Sequence, residues 1–87
     1  MGSKENAQEL LQNIEKLHTT ELGLERIRKN IDLHEPDIIA WCKEQIANKA
    51  ARTYRQGKNW YIEVNGNKLT VNAKSYTVIT AHKIDPM

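Results

Sequence analysis

The residues with the most chemical potential lie near the C-terminus. Thr80-Ala81-His82-Lys83 closes a stretch rich in alternating residues, and Glu63 and Tyr61 lie upstream of it. Histidine changes charge nearest to neutral pH, so His82 is the natural proton carrier. Glu63 is a second titratable group. Arg55 and Lys58, in the loop beside them, supply cations for phosphate, and Tyr61 and Tyr76 supply rings for bases. A general base, a general acid and cations for a pentacovalent phosphate are what metal-independent RNA cleavage requires. His82, Thr80 and Glu63 are therefore the candidate catalytic residues. Arg55, Lys58, Tyr61, Tyr76 and Lys83 are the candidate nucleic-acid contacts. No fixed spacing ties these residues together. The plainer reading of the same residues is a Glu63–Lys68 cross-strand ion pair, tyrosines covering a sheet, and a histidine ending a strand.

The charge distribution supports a face for polyanions. Net charge is only +2, but between Arg52 and Lys83 there are six basic residues and a single acid, Glu63. The segment before them is slightly acidic. Such asymmetry suits a polyanion-facing sheet, and it equally suits a solvated sheet with lysines guarding its edges. Arg26, Arg28 and Lys29 make one side of an earlier helix basic, which is usually a solvated face.

Other chemistries are poorly served. Cys42 is the only cysteine and lies in an apolar helical pattern, where it packs as a small hydrophobe. The three histidines lack ligand spacing, so neither a zinc site nor a cofactor is expected. The four glycines are isolated, which leaves no phosphate-cradling loop and no Gly-x-Ser-x-Gly elbow. No apolar run approaches ~18 residues, and the N-terminus has no apolar signal core. These features lead to the expectation of a cytoplasmic protein without a membrane segment.

Eighty-seven residues make one domain. Leu10, Leu11, Ile14 and Leu17 recur at helical spacing and predict a helix over 3–18, with Ser3 as its cap, Glu5 in its first turn and Ala7 in its stripe. His18 at its end would complement the helix dipole. A second helix spans about 20–30, capped by Thr19 or Thr20. Pro36 suits the first position of a third helix over about 36–48, with Ile38, Ile39, Trp41, Cys42 and Ile46 as its apolar face.

The period then falls to two. Strands are predicted over about 52–56, 59–65, 67–72 and 76–83. Asn65-Gly66 is a type I′ hairpin signal. That turn sets Val64 opposite Asn67, Glu63 opposite Lys68, Ile62 opposite Leu69, Tyr61 opposite Thr70 and Trp60 opposite Val71. Apolar residues then share one face, and Tyr61, Glu63, Lys68, Thr70 and Asn72 share the other. The last strand has two possible phases. A three-residue turn at Ala73–Ser75 sends Thr77, Ile79 and Ala81 inward and Tyr76, Thr80 and His82 outward. It is favoured because it does not bury His82, though it leaves Val78 exposed. Asp85-Pro86-Met87 is expected to fray. The fold class is α+β, with three N-terminal helices on one face of an antiparallel meander of three to four strands.

Two stretches carry a resemblance. Leu17-His18-Thr19-Thr20-Glu21-Leu22-Gly23 with Arg26-Ile27-Arg28, and Gly57-Lys58-Asn59-Trp60-Tyr61 through Val71 to Lys83, resemble a family of small bacterial proteins of unknown function. The likeness runs from about Ala7 to Ile84. The final strand alone is similar to the barnase/EndoU/colicin/RelE-like toxin ribonucleases, in which the threonine and the residue two along tend to face the active site. That resemblance implies site roles for Thr80 and His82, with Arg55 and Lys58 as phosphate contacts by position. The functional expectation is an RNA-binding or ribonuclease-like protein using the open face of the sheet. The alternative is a non-catalytic module that binds a protein partner or a second copy of itself through that face or a free strand edge.

Overall fold

A computed structural model describes residues 8–32 and 34–84. The expected Ser3 cap, Glu5 and Ala7, and the C-terminal Asp85-Pro86-Met87, lie outside the described residues. Helix α1 is helical at residues 8–12, and a 3-10 turn follows at Ile14–Lys16. α2 spans Glu21–Ile31 and α3 spans Ile38–Ala47. The strands are β1 (Arg52–Gln56), β2 (Asn59–Val64), β3 (Asn67–Asn72) and β4 (Val78–Lys83), in spatial order β1-β2-β3-β4. The protein is an α+β meander with its helices N-terminal to the sheet. No helix among the described residues is long and apolar enough to cross a membrane.

The first helical segment stops short of the expected His18. Leu17 is extended, and the main chain at His18 forms a parallel bridge with Thr77. His18 N–H donates to the Tyr76 carbonyl at 3.2 Å, and Val78 N–H donates to the His18 carbonyl at 2.7 Å. These bonds replace the helix-dipole role expected for His18. The stripe still works in part: Leu10 and Leu17 are buried, whereas Leu11 is exposed.

Both later helices are capped by side chains. Thr20 Oγ1 accepts from Gly23 N–H at 3.0 Å, and Asp37 Oδ1 accepts from Ala40 N–H at 3.0 Å. Asp37 is thus the cap of α3, and Pro36 sits just outside the helix, not at its first position. α3 lies across β2 and α2 lies against β4. Trp60, Ile62, Val64, Leu69, Val71, Val78 and Ala81 from the sheet join Ile27, Ile38, Cys42 and Ile46 in the core. Trp60 is fully buried, and a buried tryptophan is among the largest single contributors of apolar area.

The β2–β3 hairpin has the register that its turn dictates. Trp60 pairs with Val71, Ile62 with Leu69, Glu63 with Lys68 and Val64 with Asn67. Asn65 (φ 52°) and Gly66 (φ 77°) both adopt the left-handed conformation that a type I′ turn demands. Asn65 Nδ2 also donates to Gln45 Oε1 of α3 at 3.1 Å, fixing the hairpin tip to the helical layer.

The β3–β4 pairing corrects the expected phase. Thr70 faces Thr80 and Leu69 faces Ala81, but Val71 faces Val78. Ile79 is the extra residue of a β-bulge, so the inward face changes parity there. Val78 and Ala81 are buried, Ile79 is partly exposed, and Thr80 and His82 point to the open side. Ile79 and Thr77 are therefore not core residues, and the exposure expected for Val78 does not arise. Tyr76 does not turn outward either. It is half-buried on the helix side, with its ring centroid 5.4 Å from that of Trp60.

Candidate functional site

The register arranges the open face in rows across the strands. One row is Arg52, Glu63, Lys68 and His82, and the next is Tyr54, Tyr61, Thr70 and Thr80. Tyr54 and Tyr61 stack with centroids 5.6 Å apart and planes inclined by 27°. Lys68 Nζ lies 5.1 Å from the centre of the Tyr61 ring, and the Arg52 guanidinium lies 6.0 Å from that of Tyr54. The result is a line of cation, tyrosine, tyrosine and cation on the face of the sheet opposite the core residues Trp60, Ile62, Leu69 and Val71. Each contact has the geometry of a cation–π or aromatic pair worth about 0.5–1 kcal/mol at an exposed site.

Glu63 is tied into this line. Tyr54 donates its hydroxyl proton to Glu63 Oε2 at 3.1 Å, along the diagonal of the pleat. Lys68 stands between Glu63 and His82 in the pairing order. Three adjacent strands put roughly 10 Å between the outer two. Glu63 and His82 therefore flank Lys68 without touching each other. His82 is exposed. Thr80 is committed elsewhere, since Asn30 Nδ2 of α2 donates to its hydroxyl at 3.2 Å.

Arg55, Lys58, Tyr76 and Lys83 are not part of this face. Arg55 pairs with Trp60, so its side chain lies on the helix side at the sheet's outer edge. Its guanidinium carbon is 5.5 Å from the Trp60 ring centre. Lys16 Nζ lies 5.6 Å from the Tyr76 ring. Lysine, tyrosine, tryptophan and arginine thus form a second line of the same type on the opposite side of the sheet. Lys83 pairs with Asn67 and follows His82, so it alternates away from the open face. The expected cluster of His82, Glu63 and Arg55 is accordingly divided between the two sides.

A family model matches residues 11–82, nearly the whole chain. The chain belongs to the family described as protein of unknown function (DUF3781). No curated protein and no solved structure matches it, and nothing found extends the likeness of the last strand to toxin ribonucleases.

This DUF3781 member holds two groups of residues that sequence reasoning passed over. Tyr54 and Arg52 complete the open-face line. Their signal was the register of β1, which the Gln56–Asn59 turn conceals because it is less diagnostic than Asn-Gly. The second group is a hydrogen-bonded chain at the β3–β4 turn. His18 Nε2 lies 3.1 Å from Thr77 Oγ1, which lies 2.7 Å from Ser75 Oγ, which donates to Asn72 Oδ1 at 3.1 Å. His18 Nδ1 is 2.9 Å from the Lys16 carbonyl, an acceptor only, so Nδ1 carries a proton. The chain connects residues 59 apart in sequence, which no local pattern reveals.

Proposed function

We propose that the open face of the sheet binds single-stranded RNA. The observation that supports this is the line of Arg52, Tyr54, Tyr61 and Lys68. A single strand presents bases and phosphates in alternation, and a sheet face carrying rings and cations offers partners for both. The two end rings are capped by long, flexible cations. A base that takes the outer face of Tyr61 displaces Lys68, whose ammonium then meets the neighbouring phosphate. Tyr54 is held by Glu63, so it supports Tyr61 from behind.

The Glu63–Lys68–His82 row favours an extension of this reading to cleavage. A carboxylate and an imidazole on either side of a cation suit deprotonation of a 2′-hydroxyl, charge stabilisation and protonation of the leaving 5′-oxygen. The rival reading is a protein-binding module. It draws on β1, whose outer side pairs with no strand among the described residues and offers an edge for strand addition.

The test is fluorescence anisotropy of labelled oligoribonucleotides over a range of salt. RNA binding weakens with salt by roughly 0.7 log units per log unit for each phosphate contacted. Lys68→Gln lowers that slope by about one contact, and Tyr61→Ala costs roughly 1–3 kcal/mol. Absence of binding at ~50 mM salt removes the RNA reading and leaves the strand-edge reading.

A further inference from the structure

Two turns meet at the end of the sheet opposite the Asn65-Gly66 hairpin. The β1–β2 turn carries Lys58, and the β3–β4 turn carries Ala73, Lys74 and Ser75. Ala73 N–H donates to the Lys58 carbonyl at 2.8 Å, so the turns are joined through their backbones. Between them is a cleft of about 580 Å³ lined by Glu9, Arg55, Lys58, Asn72, Ala73 and Lys74. That volume lies within the range of small-molecule sites.

The lining is dominated by donors. Arg55 is held over Trp60, and its Nε–H donates to the Gly57 carbonyl at 3.1 Å. Its two terminal nitrogens remain as a fork. Asn72 Oδ1 already accepts from Lys74 N–H at 3.0 Å, Ser75 N–H at 2.9 Å and Ser75 Oγ. Those bonds fix which end of the amide is oxygen, and they leave Nδ2 as its free donor. Among the described residues the one close ion pair joins His34 to Asp32 at 3.5 Å, so none of the three cations is neutralised by direct contact. The fully buried Trp60, under Arg55, has an indole N–H with no hydrogen-bond partner among the described residues.

The turn is also held in a conformation that its sequence does not favour. Tyr76 has φ 60°, an uncommon backbone for a bulky residue. The tilted contact of its ring with Trp60, the bond from Tyr76 N–H to the Asn72 carbonyl at 2.9 Å and the bond from His18 maintain it. Strain of this kind is kept where neighbours over-determine it, and here it falls in the turn whose Lys74 lines the cleft together with Lys58.

We propose that this cleft is a binding site for a terminal phosphate group, a monoester carried on a small metabolite or on the end of an RNA strand. Arg55, Lys58 and Lys74 against Glu9 leave a formal charge of +2. That charge matches the roughly −1.5 to −2 of a phosphate monoester at neutral pH, not the single charge of an internal diester. The fork of Arg55 takes two phosphate oxygens, and Lys58, Lys74 and Asn72 Nδ2 take the third. Glu9 adds an acceptor on the facing wall for a hydroxyl or amino group beside the phosphate. This site lies at the end of the sheet where the two turns meet, apart from the Arg52–Tyr54–Tyr61–Lys68 line, and does not depend on the RNA reading.

The test is a titration of the nitrogen-15-labelled full chain with inorganic phosphate, AMP and adenosine. Matched oligoribonucleotides with 5′-phosphate and 5′-hydroxyl ends follow. Phosphate and AMP, but not adenosine, are expected to shift the amide signals of Gly57, Lys58, Lys74 and Ser75. Lys58→Gln with Lys74→Gln changes only exposed turn residues. It abolishes those shifts while leaving the rest of the spectrum in place, and Arg55→Gln weakens AMP roughly tenfold or more. A tenfold preference for the 5′-phosphorylated strand identifies an RNA end as the source of the phosphate. Equal binding of the two strands, with the AMP shifts intact, identifies a free metabolite. Cleft shifts in a protein that binds no oligonucleotide support the site while refuting the RNA reading. Shifts spread over all lysines, or retained in the double variant, overturn the proposal.

Discussion

Val71 of β3 stands opposite Val78 of β4, although the preceding pair, Thr70 and Thr80, would place it opposite Ile79 in an unbroken ladder. The bulge decides which side chains reach the open face and which are buried. It predicts an inversion of the usual ranking by side-chain size. Val78→Ala should cost about 2 kcal/mol, because Val78 is fully buried among core residues. Ile79→Ala removes more atoms and should cost under about 1 kcal/mol, because Ile79 is the displaced residue and part of its surface stays in water. Urea unfolding of the two variants checks this. A larger loss for Ile79→Ala would mean that β4 pairs without the bulge.

The bulge also marks where sequence reasoning stops. The β2–β3 hairpin was legible because its turn, pairing and alternation are all local and agree. From that one register came Trp60, Ile62, Val64, Leu69 and Val71 as core, and Tyr61, Glu63, Lys68, Thr70 and Asn72 as the open face. At Val78-Ile79 two apolar residues adjoin, and alternation cannot say which is set aside. Only the cover of α2 and the bridge to His18 select Val78. Thr80 and His82 do lie on the open face, but the uniform phase that predicts this also sends Tyr76 outward. Tyr76 instead follows Trp60, whose burial draws in the nearest ring. Sequence pattern alone puts Arg55 at the loop edge of the working face. The β1–β2 register puts it beside Trp60 and on the other side of the sheet.

Gly23 is expected to resist the substitution that normally stabilises a helix. Alanine is better than glycine in a helix interior by about 1 kcal/mol. A Cβ on Gly23 would run into Thr19 Oγ1. That hydroxyl donates to the Val78 carbonyl at 2.7 Å and helps tie the α1–α2 connection to β4. Gly23→Ala should therefore destabilise the protein by about 1 kcal/mol, through loss of that bond. In a Thr19→Ala background the obstacle is gone, and Gly23→Ala should become neutral or stabilising. Additive effects of the two substitutions would show that Gly23 is needed for another reason.

Cys42 gives the protein an alkaline limit. Burial disfavours the thiolate and pushes the thiol from an ordinary value near 9.0 up to about 12. The sign follows from the state that keeps its proton. Below about pH 9 the thiol is protonated in both states and the linkage term is constant. Between about 9 and 12 the unfolded chain loses the proton and the folded chain retains it, so stability falls as pH rises. The slope from this group approaches about 1.4 kcal/mol per pH unit. The measurement is the difference between wild type and Cys42→Ala, which isolates this group. The variant, though less stable at pH 8, should lose less stability from pH 9 to 11. Iodoacetamide should label native Cys42 only as fast as the protein opens.

Lys68 separates Glu63 from His82 on the open face, and this spacing makes the cleavage extension of the RNA proposal testable residue by residue. His82 is exposed, so His82→Ala should unfold within ~0.5 kcal/mol of wild type. Any larger effect on cleavage is then chemical. If His82 carries a proton in the reaction, its loss should slow cleavage by about 10² to 10⁴-fold. Lys68→Gln should slow it as well, with Lys68→Arg restoring part of the rate, because a charge is needed between the base and the acid. Thr80→Val removes the acceptor for Asn30 and should act on stability alone. A 2′-deoxy substitution at the scissile nucleotide should abolish cleavage, since the attacking hydroxyl is gone. The assay is a labelled oligoribonucleotide resolved for a 2′,3′-cyclic phosphate product. Equal rates for wild type and His82→Ala, at equal folding, would remove His82 from the mechanism and leave the face as a binding surface.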